Sequence, residues 1–273
     1  MAYDALIDHV LPQDVSLWVA LFLILLSFFT SALTAAIGLG GGLLMLAAMA
    51  AVLPTPLVIP THGAVQFGSN IGRAAIMWRH VVWIYWWPFV IGTIIGAFIG
   101  AHIFTNLPIT LIQIILGLFI IAIVWTPKLT PRSVGRIGFF WVGIGASFST
   151  MFLGATGPVV AAFLPPARFG KHGTVATHAI FTTVQHLIKV IAFGALGFAF
   201  WDWLPLLAGM IFTGFIGTNV GNRALDRLPQ KVFAYSFKIV LTLLAINLLW
   251  SAAQGVASFM HQEFSVKPSH DRP

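Results

Sequence analysis

Long apolar runs follow one another along this chain with little between them, and that leaves few ways to fold. The first five runs cover residues 15–37, 40–53, 58–78, 82–105 and 108–126, here a to e. A polar break, Lys128-Leu-Thr-Pro-Arg132-Ser-Val-Gly-Arg136, separates them from a second set at 138–154, 157–166, 173–199, 203–222 and 230–250, here a′ to e′. Most approach the roughly 20 residues that a helix needs to cross a bilayer. None alternates as a strand would, and Pro, Gly and charge mark their ends. Only 8% of the residues are charged, against roughly 25% in soluble domains, so lipid must be the solvent for most of the surface. The expected fold is all-α, a polytopic bundle of membrane helices with broken or re-entrant segments and no sizeable soluble domain.

The net charge of +7 does not point to nucleic acid, because most basic residues lie in short loops between apolar runs, the pattern of the positive-inside rule. Cysteine is absent, which excludes disulfides and thiolate metal sites. The stretch from Met1 to Asp14 holds three aspartates and no Lys or Arg, so it lacks the basic start of a cleavable signal peptide, and run a is expected to be retained.

The second set of runs repeats the first. Gly38-Leu-Gly-Gly41-Gly42 matches Gly154-Ala-Thr-Gly157-Pro158 at a shift of 116 residues (154 minus 38). The same shift pairs Ser31 with Ser147, Thr34 with Thr150, Thr61-His62 with Thr177-His178, and Arg73 with Lys189. A five-residue insertion then raises the shift to 121 (217 minus 96), which pairs Gly96 and Gly100 with Gly217 and Gly221. The resulting organisation is a first membrane repeat at 15–126, a basic cytoplasmic linker at 127–137, a second membrane repeat at 138–250 and a polar tail at 251–273.

Basic residues fall in the c–d turn (Arg79), the e–a′ loop (Lys128, Arg132, Arg136), the b′–c′ loop (Arg168, Lys171) and the d′–e′ loop (Arg223, Arg227, Lys231). The b–c and d–e loops have none. All basic loops share one side if a and b together cross an even number of times. Five segments per half then make the second copy upside down, with both termini outside. Inverted repeats of this kind are a common construction for alternating-access transporters, and b′ is short enough to be re-entrant.

The two Gly-rich breaks interrupt apolar runs at equivalent places, which membrane proteins tolerate only inside protein or along a cavity. The helix that follows such a break offers free N–H groups to an anion, here from Gly40, Gly41 and Gly42 and from Thr156 and Gly157. Runs c and c′ carry polar residues three and four apart, and hence on one face: Thr61, His62, Gln66, Ser69, Asn70 and Arg73 against Thr177, His178, Thr182, Gln185, His186 and Lys189. Ionisable groups inside membrane segments are functional candidates. His62 and His178 read equally as histidines bonded to backbone, Arg73 as a snorkelling side chain, and Lys238 as a snorkel or a helix contact. Trp83, Tyr85, Trp86, Trp87, Trp201 and Trp203 read as interfacial belts. The glycines of Gly92-xxx-Gly96-xxx-Gly100 and Gly217-xxx-Gly221 read as close-packing faces for helices or for a second protomer.

All seven acidic residues lie at the termini or near loops. Cation transporters use intramembrane carboxylates, whereas Arg, Lys, His, hydroxyl and amide donors suit an oxyanion. Ser147, Ser149 or Ser69 with His178 or His186 lacks an orienting carboxylate and a nucleophile motif. An intramembrane enzyme is therefore disfavoured, and no metal site or cofactor is expected.

With these features the chain resembles the TauE/SafE family of sulfite exporters, over about residues 27 to 250. The resemblance rests on Gly38-Leu-Gly-Gly-Gly, on Pro54 and Pro60 before Thr61-His62, on the basic central loop and on the degenerate second copy, Gly154-Ala-Thr-Gly-Pro. It implies a secondary transporter of the inner membrane, moving sulfite, sulfoacetate or other organosulfonates, usually outward. Position assigns substrate binding to Gly40, Gly41, Gly42, Thr61, His62, Asn70, Arg73, Thr156, Gly157, Thr177, His178, Gln185, His186 and Lys189. A transporter or channel for another small anion, such as a carboxylate, is the alternative. A coupling proton or sodium ion and a homodimer are both compatible with the sequence.

Overall fold

A computed structural model of the protein describes residues 11–12, 15–37, 40–125, 134–224 and 230–266, and over them the chain is helical with no strand. The helices are α1 (Leu17–Ile37), α2 (Gly41–Val52), α3 (Thr55–Met77), α4 (Trp86–Thr105), α5 (Ile109–Trp125), α6 (Arg136–Leu153), α7 (Gly157–Ala161), α8 (Pro166–Ala195), α9 (Leu204–Ala224) and α10 (Gln230–Val266). Six of them, α1, α4, α6, α8, α9 and α10, supply stretches long and apolar enough to cross a membrane. The polar stripe of α3 leaves it less apolar, although its 23 residues are a spanning length. The twelve residues of α2 rise about 18 Å at 1.5 Å each, well short of the roughly 30 Å hydrocarbon core. Helix α7 has five residues.

Several boundaries differ from the sequence reading. Helix α7 ends at Ala161 rather than 166, and α8 starts at Pro166 rather than 173, with a break at Gly170, φ 68°, that sets its first turn apart from the expected run. Helix α3 starts at Thr55 rather than 58, because Pro56 sits in the first turn, where its missing N–H costs nothing. Helix α10 runs on to Val266, past the expected end at 250 and into the region read as a polar tail. Polarity ends an apolar run there but does not end a helix, and the next proline is Pro268. Most of the 127–137 linker and the residues from 267 on lie outside the described residues.

Helix packing crosses between the two sequence repeats. Helix α4 lies along α6, α9 along α1, α3 along α8, and α5 along α10. In repeat terms, d packs on a′ and d′ on a, while c meets c′ and e meets e′. Exchanging the halves leaves this set of pairs unchanged. The glycine faces make the two long contacts. A Cβ on Gly96 would come 2.2 Å from the Ile144 carbonyl oxygen, and one on Gly217 would come 2.1 Å from that of Phe28. Phe28 and Ile144 are themselves 116 residues apart. These faces are therefore occupied within one chain and are not left for a second protomer.

The loops sort to the two ends of the bundle. Arg168, in the first turn of α8, donates 2.7 Å to the carbonyl of Val134, just before α6, and also to the Tyr85 hydroxyl in the turn before α4. His80 and His172 stack loosely beside them, with ring centroids 5.2 Å apart. The described parts of three basic loops thus share one end, and the chain leaves along α6 and returns to that end by way of α7. At the other end, a groove of about 320 Å³ is lined by Pro56, Thr105, Leu107, Ile109, Gly197 and Phe198, from loops without basic residues. The aromatic belt is only partial. Trp87 and Trp201 are exposed, but Tyr85 and Trp203 are buried and pack inside. Lys238 makes a helix contact, its Nζ 5.2 Å over the Trp125 ring.

Candidate functional site

Helices α3 and α8 carry the polar stripes and pack on one another, so most candidate residues meet where these helices cross, between the two Gly-rich breaks. The His62 ring reaches the start of α2, its Nε2 donating 2.9 Å to the carbonyl of Gly42. The repeat-related His178 makes the corresponding bond, 2.9 Å to the carbonyl of Gly157. His186 faces His62 edge-on, with ring centroids 5.9 Å apart. Gln185 donates to Ser147 at 3.1 Å, and the repeat equivalents Ser69 and Ser31 lie 3.3 Å apart. Both sequence repeats therefore tie their stripe to their first helix at the same positions.

The glycines of the first break serve close approach. Gly40 takes φ 110°, the left-handed region open to glycine. A Cβ on Gly41 would fall 1.8 Å from the Thr30 carbonyl oxygen, and one on Gly42 would fall 2.6 Å from the Gln66 amide. Only a bare backbone can bring α2 this near to α1 and α3. At the second break Gly154 takes φ 72°, and Thr156 donates 3.2 Å to the Ala146 carbonyl. The sequence reading of matching anion sites at two helix starts holds no further for the second half, because a five-residue α7 has too few aligned peptides for a dipole to act.

Lys189 is fully buried. Its Nζ donates 2.9 Å to the Thr150 hydroxyl and 2.9 Å to the Gly154 carbonyl. Its stem crosses Gly63, where a Cβ would stand 2.7 Å from Lys189 Cδ. Arg73, at the equivalent position, is held differently. Its Nη1 lies 3.4 Å from the Asn70 side-chain oxygen, and its Nη2 is sealed from solvent without a partner. The Asn70 amide in turn donates 2.8 Å to the Gln66 carbonyl. Arg73 acts electrostatically on His178, as Lys189 does on His62.

Not every predicted residue turns toward the centre. The Thr61 hydroxyl bonds back to the Leu57 carbonyl of its own helix. The Thr177 hydroxyl accepts from the Val82 backbone N–H and so fixes the turn before α4. Gly63 was missed in the sequence because its repeat partner is Ala179, so no pairing marked it. Thr150 and Gly154 were noted as repeat matches, but nothing in their spacing joined them to Lys189. Ser69 and Ser147 lie against Ser31 and Gln185 and not against a histidine.

Among the described residues, three buried side-chain nitrogens lack partners: Nδ1 of His62, Nδ1 of His186 and Nη2 of Arg73. No carboxylate appears among the described buried residues, and no group of three metal-ligating side chains occurs among the described residues. Polar nitrogens sealed in this way carry a desolvation cost of about 1–3 kcal/mol each unless something satisfies them. The Arg73 nitrogen is a donor that suits an anion directly, and the two imidazole nitrogens suit one when they carry a proton.

A family model described as "Sulfite exporter TauE/SafE" matches residues 23–248. No curated protein and no solved structure matches the chain.

Proposed function

Since the chain belongs to the TauE/SafE sulfite exporter family, a family of multi-pass membrane transporters, we propose that it exports small sulfur oxyanions such as sulfite or sulfoacetate across the inner membrane. The observation that carries this reading is the set of unpartnered nitrogens on His62, His186 and Arg73, sealed between α3 and α8 with no buried carboxylate beside them. A sulfonate or sulfite group is compact and rich in acceptors, and a guanidinium with an open N–H edge is a natural partner for it. His178 completes the set beside Arg73, and Gln185, Asn70 and the first break frame it.

The transport cycle we propose is a rocking of one repeat against the other about this site. Its support is the exchange symmetry of the helix pairs and the matched Ser69–Ser31 and Gln185–Ser147 contacts. We read the halves as inverted copies, with the basic loops in the cytoplasm and both termini outside. The gathering of Arg79, Arg136 and Arg168 at one end supports that orientation through the positive-inside rule.

The test is uptake of labelled sulfite and sulfoacetate into proteoliposomes, with sulfate, acetate and chloride as competitors. Saturable flux of a sulfur anion, competed by its own kind, is expected. Unsaturable flux of every anion in order of size would make the protein a channel, and saturable flux of acetate alone would move the assignment to carboxylates.

A further inference from the structure

We infer that this transporter moves its oxyanion together with a proton held on His62, and that the second break is closed to sodium. The inference rests on the anion reading above and names the ion that travels with the substrate.

The first step is the tautomer of His62. A carbonyl oxygen can only accept, so the 2.9 Å contact with Gly42 requires a proton on Nε2. The Gln66 amide, 3.3 Å from the same nitrogen, then presents its oxygen there, since the two ends of an amide have the same shape. In the neutral ring Nδ1 must bear a lone pair, and Nδ1 is the nitrogen that is buried without a partner. An oxyanion offers acceptors only. A neutral His62 would place lone pair against lone pair, so the anion binds at Nδ1 only when that nitrogen carries a proton. One proton therefore enters the site with each anion bound there. No covalent bond is made or broken besides the N–H.

The surroundings couple the two events. From α8, Lys189 and His186 face the ring. From α2 and α6 the facing groups are the carbonyls of Gly42 and Gly154. Helices α2 and α5 contain no titratable residue, and α9 has none before Arg223. A positive ring beside Lys189 is opposed by Coulomb repulsion, and an arriving anion offsets it. Proton and anion thus favour each other's binding, which is the reciprocal coupling a carrier needs.

The second step concerns sodium. In transporters with broken helices, sodium sits on unwound carbonyls and at the C-terminal ends of half-helices. At the end of α6 that position is filled by the protein's own amine. Lys189 Nζ occupies the point 2.9 Å from both the Thr150 hydroxyl and the Gly154 carbonyl, and Gly63 gives its stem room to stay there. A tethered cation there leaves no room for a free one at the second break. Cotransport of a monoanion with one proton is electroneutral, so export would carry the acid out whole.

The experiment uses the full-length protein in liposomes that hold a pH dye, with labelled methanesulfonate as the anion, because a sulfonate carries no proton of its own near neutral pH whereas sulfite does. Methanesulfonate movement should carry protons the same way, should be unaffected when choline replaces sodium, and should be accelerated when the compartment it leaves is the more acidic. His62→Gln keeps an amide N–H for Gly42 but cannot carry a proton, so any methanesulfonate movement that remains in it should run without protons. Dependence on sodium, or methanesulfonate movement by the wild type without protons, overturns the inference while leaving the substrate reading intact. The two wild-type arms decide this even if His62→Gln fails to reconstitute. No movement of methanesulfonate or sulfite under any gradient removes the substrate reading, and the inference with it.

Discussion

Lys189 and Arg73 stand at the same place in the two sequence repeats, yet only one of them has its donors satisfied. Lys189 is docked on Thr150 and Gly154. Arg73 has one distant contact to Asn70 and one sealed nitrogen with no partner. The hydroxyl that corresponds to Thr150 is Thr34, and it bonds instead to the Thr30 carbonyl of its own helix. The repeat places two cations at equivalent positions, and in the structure one is bonded across the second break while the other keeps a nitrogen without a partner. The sequence reading assigned both to substrate. The geometry separates them, since the Lys189 amine bonds to Thr150 and Gly154 whereas Arg73 keeps one buried nitrogen unpartnered.

That comparison is meaningful only if the remainder of the two halves is equivalent, and the glycine faces test this with the largest expected effect. Gly96→Val and Gly217→Val each drive a side chain into a backbone carbonyl that cannot step aside. Each should cost about 3 kcal/mol or more, and the two should agree closely. Thermal melting of each purified variant in detergent measures it. A large cost at one position and none at the other would mean that the halves do not share their framework.

Next in size is the loss of stability in Lys189→Ala. The stem that fills the space over Gly63 disappears, and the resulting cavity should cost about 2–4 kcal/mol. Arg73→Ala should cost less than Lys189→Ala, because Arg73 makes one distant contact and its removal also relieves a buried donor without a partner. Melting temperatures of the pair report the difference, and equal losses would erase the contrast. Transport should show the reverse preference. A hydrogen bond from a charged group to the anion contributes about 1.5–3 kcal/mol, so sulfite flux at low concentration should fall about 10- to 100-fold in Arg73→Ala. A near-normal half-saturation concentration in that variant would place the substrate elsewhere.

The parts legible in the sequence were those carried by local pattern or by repetition. Run lengths gave the helices, the 116-residue shift gave the repeats, and the Gly-rich breaks gave the ends of α1 and α6. Partnership between distant segments was not legible. Spacing could mark Gly96 and Gly217 as packing surfaces but could not say that their partners are Ile144 and Phe28 of the opposite half. Tyr85 and Trp203 look like belt residues because amphipathic rings favour interfaces, and contact with Arg168 and with Phe198 draws them inward instead. The same limit explains Thr177, whose partner Val82 lies 95 residues away. For the candidate site, the residue types were readable, but which donors are already committed to backbone was not.

Lys238 offers the smallest effect and extends the comparison to the outermost pair, α5 with α10. It has no counterpart in the first half, where Gly117 stands, and it lies 5.2 Å over Trp125 on an exposed edge. Gly117 itself is where α10 comes closest, since a Cβ there would meet Leu249 at 2.7 Å. One half therefore contributes a gap and the other a cation, both to the same helix pair. An exposed cation–π contact is worth about 0.5–1 kcal/mol. Lys238→Gln should lower stability by no more than that and should leave sulfite flux unchanged, because the residue faces away from the α3–α8 crossing. A clear transport defect in Lys238→Gln would show that the α5–α10 pair moves during the cycle, and the divergence of the two halves would then be functional at their edge as well as at their centre.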